Sequence, residues 1–414
     1  MINTFVKFEE CINNCLLSRL AKTYLENGND EHFEYQMRKN KLHQYFPQLL
    51  LLLEDVNFRQ QLEIASSTLY TLLILYLELK NDGPWNTDEI KAEDYPAKLN
   101  KIFQIKYGIE LEEILLKNND LYNAQEVFDK CIKELHQKMT IDDFRKYPAL
   151  IEVYCMLVKC VKKYDITVNP VTVIPVALLL VDDFTVSNKV KGLQCCALIF
   201  QHLQSNDFAT CNFYEVVYRS LQNNIIEKDI EVTQGLFKCF PDFLKLLHSD
   251  VQKNKLDDVY SSILDQLYSE SNLYRKAECL DFTTQIIDMH GIHCVKKRVF
   301  IDIICDNLDM CSNEGVYEIL IQHVLKCLLT WIRHCWCIWK LHTDHKILSS
   351  LFKILYVAND EATISQIQNL IITFIQLCTK EQQKQIYRNL ETDTVNTNAV
   401  LSTKINEIKR HIIT

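Results

Sequence analysis

The densest set of metal-ligating side chains in the sequence is Cys327 … His334-Cys335-Trp336-Cys337 … His342 … His345. Thiolates and imidazoles are zinc ligands, and zinc knuckles usually place two to four residues between paired cysteines. Cys335 and Cys337 have one residue between them. On a helix, positions two apart point about 200° from each other, so the two thiols cannot share an ion there. His342 and His345 could share a face, at a helix end or in a loop. The expectation is core packing with no metal and no cofactor. Cys335, Cys337, His342 and His345 are the residues that would have to hold an ion if there were one.

Two further constellations could carry catalysis. His290, Gly291, His293 and Cys294 contain the elements of a Cys–His nucleophile pair, but no glycine turn accompanies them to hold an oxyanion. Gly291 as the residue closing a preceding helix explains the same string. Asp182 and Asp183 are adjacent acids, and the following Ser187 and Asn188 suit a turn and a helix cap instead. No phosphate-binding glycine loop, H-E-x-x-H or G-x-S-x-G occurs. The chain is expected not to be an enzyme.

Side chains suited to protein contact are easier to find. Trp331, Trp336 and Trp339 are three of the four tryptophans and fall within nine residues. Tryptophan is enriched at interface hot spots. Trp336 and Trp339, three apart on one helical face, are the candidate contacts, and Trp331 sits nearer the apolar stripe. Lys189 and Lys191 are two apart, so at most one faces the core. Either could meet an acidic partner.

Composition says what must position these groups. The 414 residues include 7 glycines and 7 prolines, and no proline follows Pro241. Few residues can take a positive φ and few forbid a helix, which points to stacked helices. Hydrophobic residues make up 48% and charged residues 24%, the balance of a folded chain. A net charge of −9 argues against nucleic acid as partner. The one tight basic run, Lys296-Lys297-Arg298, reads as a solvated helix start. The 17 cysteines mostly alternate with aliphatic residues, as at Cys155, Cys160, Cys195 and Cys196. They read as reduced, buried small hydrophobes of a cytoplasmic, or also nuclear, protein. The start, Met1 to Phe8, has no apolar leader core, and the longest apolar run, Val171 to Val181, is too short for a bilayer.

Helical periodicity is plain in the second half. Leu256, Val259, Tyr260, Ile263, Leu264 and Leu267 form one stripe; Ile364, Ile367, Ile371, Phe374 and Cys378 form another. Val316, Leu320, His323, Val324, Cys327, Leu328 and Trp331 form a wider stripe, as in the middle of a helical stack. Pro148 and Pro241 each suit the first position of a helix. Ile166 to Ile174 reads as an extended connector, and 81–96, with Asp82-Gly83-Pro84-Trp85, as an acidic surface loop. Glu391 to Ala399 is a polar stretch before a last helix near Val400 to Ile412. The division expected is an irregular helical region, 1–165, followed by a repeat region, 166–414. The fold class expected is all-α, an α-solenoid of HEAT/armadillo-like antiparallel helix pairs. Pro175 to Leu203 is the clearest unit: Pro175, Leu178, Leu179, Asp183, Val190, Lys191, Ala197 and Leu198 meet the HEAT pattern, and Gln194 departs from it. Gly192 inside its second helix implies close helix packing.

The run Val181-Asp182-Asp183 … Ser187-Asn188-Lys189-Val190-Lys191-Gly192-Leu193 resembles the central block of the Tti-two family, the smallest subunit of the Triple-T (TTT) complex. The likeness continues loosely through Tyr214 to Cys239 and to Trp339. It implies a helical, non-enzymatic co-chaperone subunit that binds larger helical-repeat subunits. Such a complex helps phosphatidylinositol-3-kinase-related kinases fold and assemble, together with heat-shock chaperone machinery. Two other readings compete: a different HEAT-type adaptor in transport or trafficking, and a helical-repeat enzyme acting on nucleic acid, which would need a basic face.

Overall fold

Helix follows helix from Ile2 to Ile412 in the computed structural model, which describes residues 2–24, 32–55, 62–116, 122–161, 163, 166–204, 208, 213–394 and 399–412. No strand occurs among them. The chain divides into two compact units, Met1–Ser220 and Leu221–Thr414.

The first unit holds α1 (Ile2–Cys15), α2 (Phe33–Asp55), α3 (Leu62–Lys80), α4 (Asp88–Ala92), α5 (Tyr95–Tyr107), α6 (Ala124–Ile141), α7 (Pro148–Val161), α8 (Pro170–Val181) and α9 (Val186–Phe200). Helix α10 (Phe213–Asn223) runs across the division. From α6 onward the packing is that of a repeat: α6 on α8, α7 on α9, and α8 against α9. The division expected at 165/166 therefore differs from the compact units. Across the connector before α8, α6 packs on α8 and α7 on α9, so it lies inside one unit. It is also shorter than expected, because Asn169 accepts a bond from the Val171 N–H at 3.0 Å and starts α8 at Pro170.

The acidic loop expected over 81–96 is another correction. Only 81–87 and the turn at 93–94 are irregular; α4 takes Asp88–Ala92 and α5 starts at Tyr95, with Pro96 in its first turn. The acids Asp88 and Glu89 lie in the first turn of α4, where the helix dipole favours them. Nor is this loop a surface feature throughout. Trp85 is 3% exposed and packs with Leu20, Tyr35 and Ala149. Its ring folds back over Gly83, where a Cβ would meet Trp85 Cζ2 at 2.2 Å. Buried Asn86 donates through Nδ2 to the carbonyls of Glu78, Leu79 and Asn81, at 2.9, 3.1 and 2.7 Å, and so closes the C-terminus of α3.

The second unit is the more regular. It holds α11 (Ile230–Lys245), α12 (Ser249–Ser269), α13 (Leu273–His290), α14 (Val299–Met310), α15 (Glu314–Cys335), α16 (Leu341–Val357), α17 (Glu361–Gln376), α18 (Lys380–Thr394) and α19 (Ala399–Ile412). Helices α11, α13, α15, α17 and α19 stack in one layer, α12, α14 and α16 in a second, and sequence neighbours pair across them. Each odd helix from α11 to α17 is started by an Asp or Asn side chain: Asp229, Asn272, Asn313 and Asp360. Gly291, at φ 59°, closes α13, its N–H bonded to Ile287 O, as its position implied.

The stripes behave as periodicity required. Leu256, Val259, Tyr260, Ile263, Leu264 and Leu267 are all buried in α12. α15 is the one helix among the described residues long and apolar enough to cross a membrane, yet it packs against α13, α14 and α17 in the middle of the stack. Pro241 does not open a helix; it lies inside α11. An internal proline forfeits a backbone bond, but Phe237, Phe240 and Phe243 bury themselves on both sides of it, and Phe237 stacks on Phe282 at 4.2 Å. Sixteen described cysteines are free thiols, and all but Cys160 and Cys337 are buried.

Candidate interaction surfaces

In the first unit, the turn between α8 and α9 is built by carboxylates that work locally. Asp182 accepts from Ser220 Oγ at 2.7 Å. Asp183, 6% exposed, accepts from Asn188 Nδ2 at 2.7 Å and lies 3.8 Å from the Arg145 guanidinium. Arg145 in turn covers the ring of Phe184 at 5.0 Å, and Phe184 is 65% exposed. Asp182 thus ties the HEAT-like unit to α10, which follows it, and Asp183 ties it back to Arg145, whose guanidinium covers the exposed Phe184. The two acids are not placed as a catalytic pair.

Lys191 is paired with Glu152 of α7 at 2.8 Å. Lys189 is half-buried and has interactions of its own within the chain. Lys191 and Asn188 line one side of a shallow groove; Asn81, Asp82, Gly83, Pro84 and Trp85 line the other. Two sequence features about 100 residues apart, the Asp-Gly-Pro-Trp turn and the Asn-Lys-x-Lys motif, therefore meet.

In the second unit the three tryptophans part company. Trp331 is buried and stacks on Phe300, with centroids 5.4 Å apart. Trp336 is 56% exposed. Trp339, expected on the same face as Trp336, is instead 6% exposed and lies against Phe374 at 5.2 Å. The cause is the helix end: α15 stops at Cys335 and a 3-10 turn, Trp336–Ile338, turns Trp339 into the core. Three-residue spacing keeps a common face only while the chain stays helical, and Trp339, at φ −69° and ψ 132°, is already extended.

The Cys/His cluster is scattered by the same turn. Cys335 is buried against the Gly291 carbonyl, and burial pushes its thiol up to about 12. Cys337 is exposed, and His342 and His345 are exposed within α16, not in a loop. No three His, Cys, Asp or Glu side chains converge on a metal-sized site among the described residues.

Three features had no signal in the sequence. Arg275, fully buried, donates to Glu270, to the carbonyls of Glu227 and Ile225 at 2.9 and 2.8 Å, and to Thr233 Oγ1 at 3.2 Å. Burial pushes the Glu270 carboxyl up, but the Asn272 N–H, Arg275 and Lys228 together hold it at about 2. The basic run is ion-paired and not simply solvated: Lys296 meets Asp257 and Arg298 meets Asp344, at 2.8 and 2.9 Å.

The third is a set of imidazole–carboxylate bridges between helices: His290–Asp257 at 2.8 Å and His323–Asp281 at 3.0 Å. Their pH signs are opposite. The hydrogen bond to Asp281 raises the His323 pKa, so its bridge stabilises fully below the ordinary imidazole range and is lost as pH climbs through the raised value. Burial lowers that of His290 despite Asp257, so its contribution is present above the ordinary imidazole range and is lost as pH falls through the lowered value. Replacing His323 with Gln is expected to cost about 0.5–1 kcal/mol near pH 6 and almost nothing near pH 9. Urea unfolding at the two pH values checks this; an equal cost at both would show that the bridge does not titrate.

No family model matches the chain. TELO2-interacting protein 2 of Rattus norvegicus is 23% identical over 234 residues, 54% of this chain and 44% of that protein. The Homo sapiens protein of the same name is 20% identical over 204 residues, 47% and 40% respectively. The matched stretch spans under half the length of either relative. Among solved structures, Kap95p with RanGDP overlaps at a TM-score of 0.48, 12% identity, 90% of this chain and 53% of that one. An engineered protein overlaps at 0.46 and 9% identity, over 99% of both chains. At such scores the likeness adds nothing to the fold read from the helices themselves.

The stacked helix pairs define an all-α repeat protein of HEAT/armadillo type. In sequence it is similar to proteins named TELO2-interacting protein 2, at 20–26% identity over 26–54% of this chain.

Proposed function

We propose that this chain is a non-enzymatic scaffold subunit of a Triple-T-type complex that supports the folding, stability and assembly of phosphatidylinositol-3-kinase-related kinases. The observation that carries this reading is the likeness to proteins named for interaction with TELO2, on a chain whose helices stack in pairs. Side chains exposed on such stacks offer contact surface. Its partners would be the larger helical-repeat subunits, with kinases and heat-shock chaperones reached through them, in the cytoplasm and also the nucleus. Affinity purification of the tagged chain with mass spectrometry tests this. Two larger helical-repeat proteins and unassembled giant kinases are the expected recovery; transport or trafficking cargo without them would move the reading to another HEAT-type adaptor.

Of the candidate contact residues, Trp336 is the one whose exposure suits a hot spot, and Lys189 and Lys191 are secondary. Trp336→Ala is expected to reduce recovery of the large subunits while shifting stability by less than about 0.5 kcal/mol. Full recovery with an unchanged melt would remove Trp336 from the interface. Trp339→Ala is no test of binding, because it opens the core beside Phe374.

A further inference from the structure

In the second unit, α12, α14 and α16 end where α13, α15 and α17 begin, so their turns lie along one edge of the stack. The 3-10 turn Asn224–Ile226, before α11, starts this row. Side chains tie each turn to the next. Lys228 meets Glu270 at 3.1 Å, and Arg275 donates to the Ile225 carbonyl at 2.8 Å. Lys276 Nζ lies 3.7 Å from Met310 Sδ, and the Tyr317 hydroxyl donates to Asp360 at 3.1 Å. An exposed apolar side chain stands at every turn: Ile226 before α11, Tyr268 and Tyr274 around the turn after α12, Met310 at the end of α14, and Tyr356 in the last turn of α16. The three tyrosines are 73%, 64% and 63% exposed and stand clear of the core. Exposed apolar rows of this kind mark contact surfaces.

The same edge is acidic. Residues 224–231, 265–278, 306–318 and 353–361 include twelve carboxylates and four bases, in a chain whose net charge is −9. Of the bases, Arg275 and Lys276 are buried, Lys228 is paired with Glu270, and Lys353 is paired with Asp309. Helix starts explain only part of this acidity. Glu231, Glu314 and Glu361 lie in first turns, where the helix dipole favours them. Asp309 lies in the last turn of α14, where the dipole opposes it, and none of α12, α14 and α16 has a base in its last turn. Asp265 and Asp306 are exposed one turn before Tyr268 and Met310, on the same helix faces.

We propose that this edge docks a basic α-helix of a partner protein, laid along the row of turns. Packed helices lie about 8–10 Å apart, so the turns recur at about that interval. Seven residues of helix advance about 10.5 Å. Arginines seven apart therefore meet successive turns, where tyrosine rings and carboxylates together favour a cation. Leucine-sized side chains between them cover Ile226 and Met310. The four turns span about 30 Å, or about twenty residues of helix. An acidic helix or a nucleic acid would be repelled along the whole row. The proposal rests on the scaffold reading only in taking a protein as the partner.

Fluorescence anisotropy on the full chain tests it, with a labelled probe of three repeats of Ala-Leu-Arg-Gln-Ala-Arg-Gln, whose arginines fall on one helical face. One control has Glu for every Arg. A second has the same residues reordered so that the arginines scatter around the helix. Saturable binding of the probe is expected, weakened by about tenfold or more in each control. A similar loss is expected when Tyr268→Ala, Tyr274→Ala and Tyr356→Ala are combined, and when Asp265→Lys is combined with Asp306→Lys. All five substituted residues are exposed, and circular dichroism shows whether each variant remains folded. Equal affinity for the reordered peptide would mean that bulk charge alone attracts the probe, and would overturn the proposal. Unchanged binding in the folded variants, or no saturation below about 1 mM, would overturn it as well. None of these results would touch the scaffold reading, which co-purification of the large subunits tests separately.

Discussion

Glu78→Leu is expected to lower the unfolding free energy by about 3–5 kcal/mol, a large share of the stability of an ordinary domain. Glu78 in α3 and Arg38 in α2 form an ion pair at 2.8 Å, with side chains 1% and 0% exposed. Burial pushes the Glu78 carboxyl up and the Arg38 guanidinium down, and each partner opposes that shift in the other. Glu78 also accepts the Leu17 N–H at 2.7 Å, which holds the chain just after α1. Removing the carboxylate leaves a buried cation without its counter-charge and an amide without its acceptor. Arg38→Met should cost a similar amount. The double variant should recover part of the loss, because no buried charge then remains, though the Leu17 amide stays unsatisfied. Urea midpoints for the four proteins give the coupling directly. Additive losses in the double variant would mean that the two charges do not stabilise each other.

Gly192→Ala should destabilise the protein by about 2 kcal/mol or more, against the usual helix preference. In an open helix the change would gain about 1 kcal/mol, because glycine carries the greater entropy cost. Here a Cβ would stand 2.6 Å from the Val181 nitrogen and 2.8 Å from the Ala177 oxygen, both backbone atoms of α8. Backbone cannot swing aside as a side chain can, so α9 must move away from α8. The clash outweighs the propensity. A fall in melting temperature of about 4–8 °C is expected for a unit of this size. A rise would show that α8 and α9 have room between them for a methyl group, and would free Asp183, Asn188 and Lys191 from their present positions.

Gly192 was readable in advance, since a glycine inside a helical pattern has few other uses. So were the α12 stripe, the Gly291 helix end and the burial of most cysteines. All of these are local: their signals lie within a few residues of the atoms they place. What could not be read depends on atoms far along the chain. Asp82-Gly83-Pro84 looks like a solvated turn, and nothing nearby announces that Trp85 will be covered by Leu20 and Ala149. Arg38 and Glu78 look like two solvated charges, 40 residues apart. Trp339 failed for a subtler reason. Its spacing from Trp336 was sound helical arithmetic, but the helical backbone ends at Ile338 and Trp339 is extended. Pro241 misled in the opposite direction, because burial of phenylalanines carried α11 through a residue that usually opens a helix. Of the candidate contacts, Trp336 keeps the exposure expected of it, and Lys191 is held by Glu152.

The most direct measurement of the central claim is the fate of newly made giant kinases when this chain is withdrawn. Pulse-labelled phosphatidylinositol-3-kinase-related kinases should be synthesised at an unchanged rate and then disappear faster in depleted cells. Restoring the chain should reverse the loss, and restoring Trp336→Ala should do so incompletely. Kinases that persist as long without the chain as with it, in cells shown to be depleted, would contradict the proposed role.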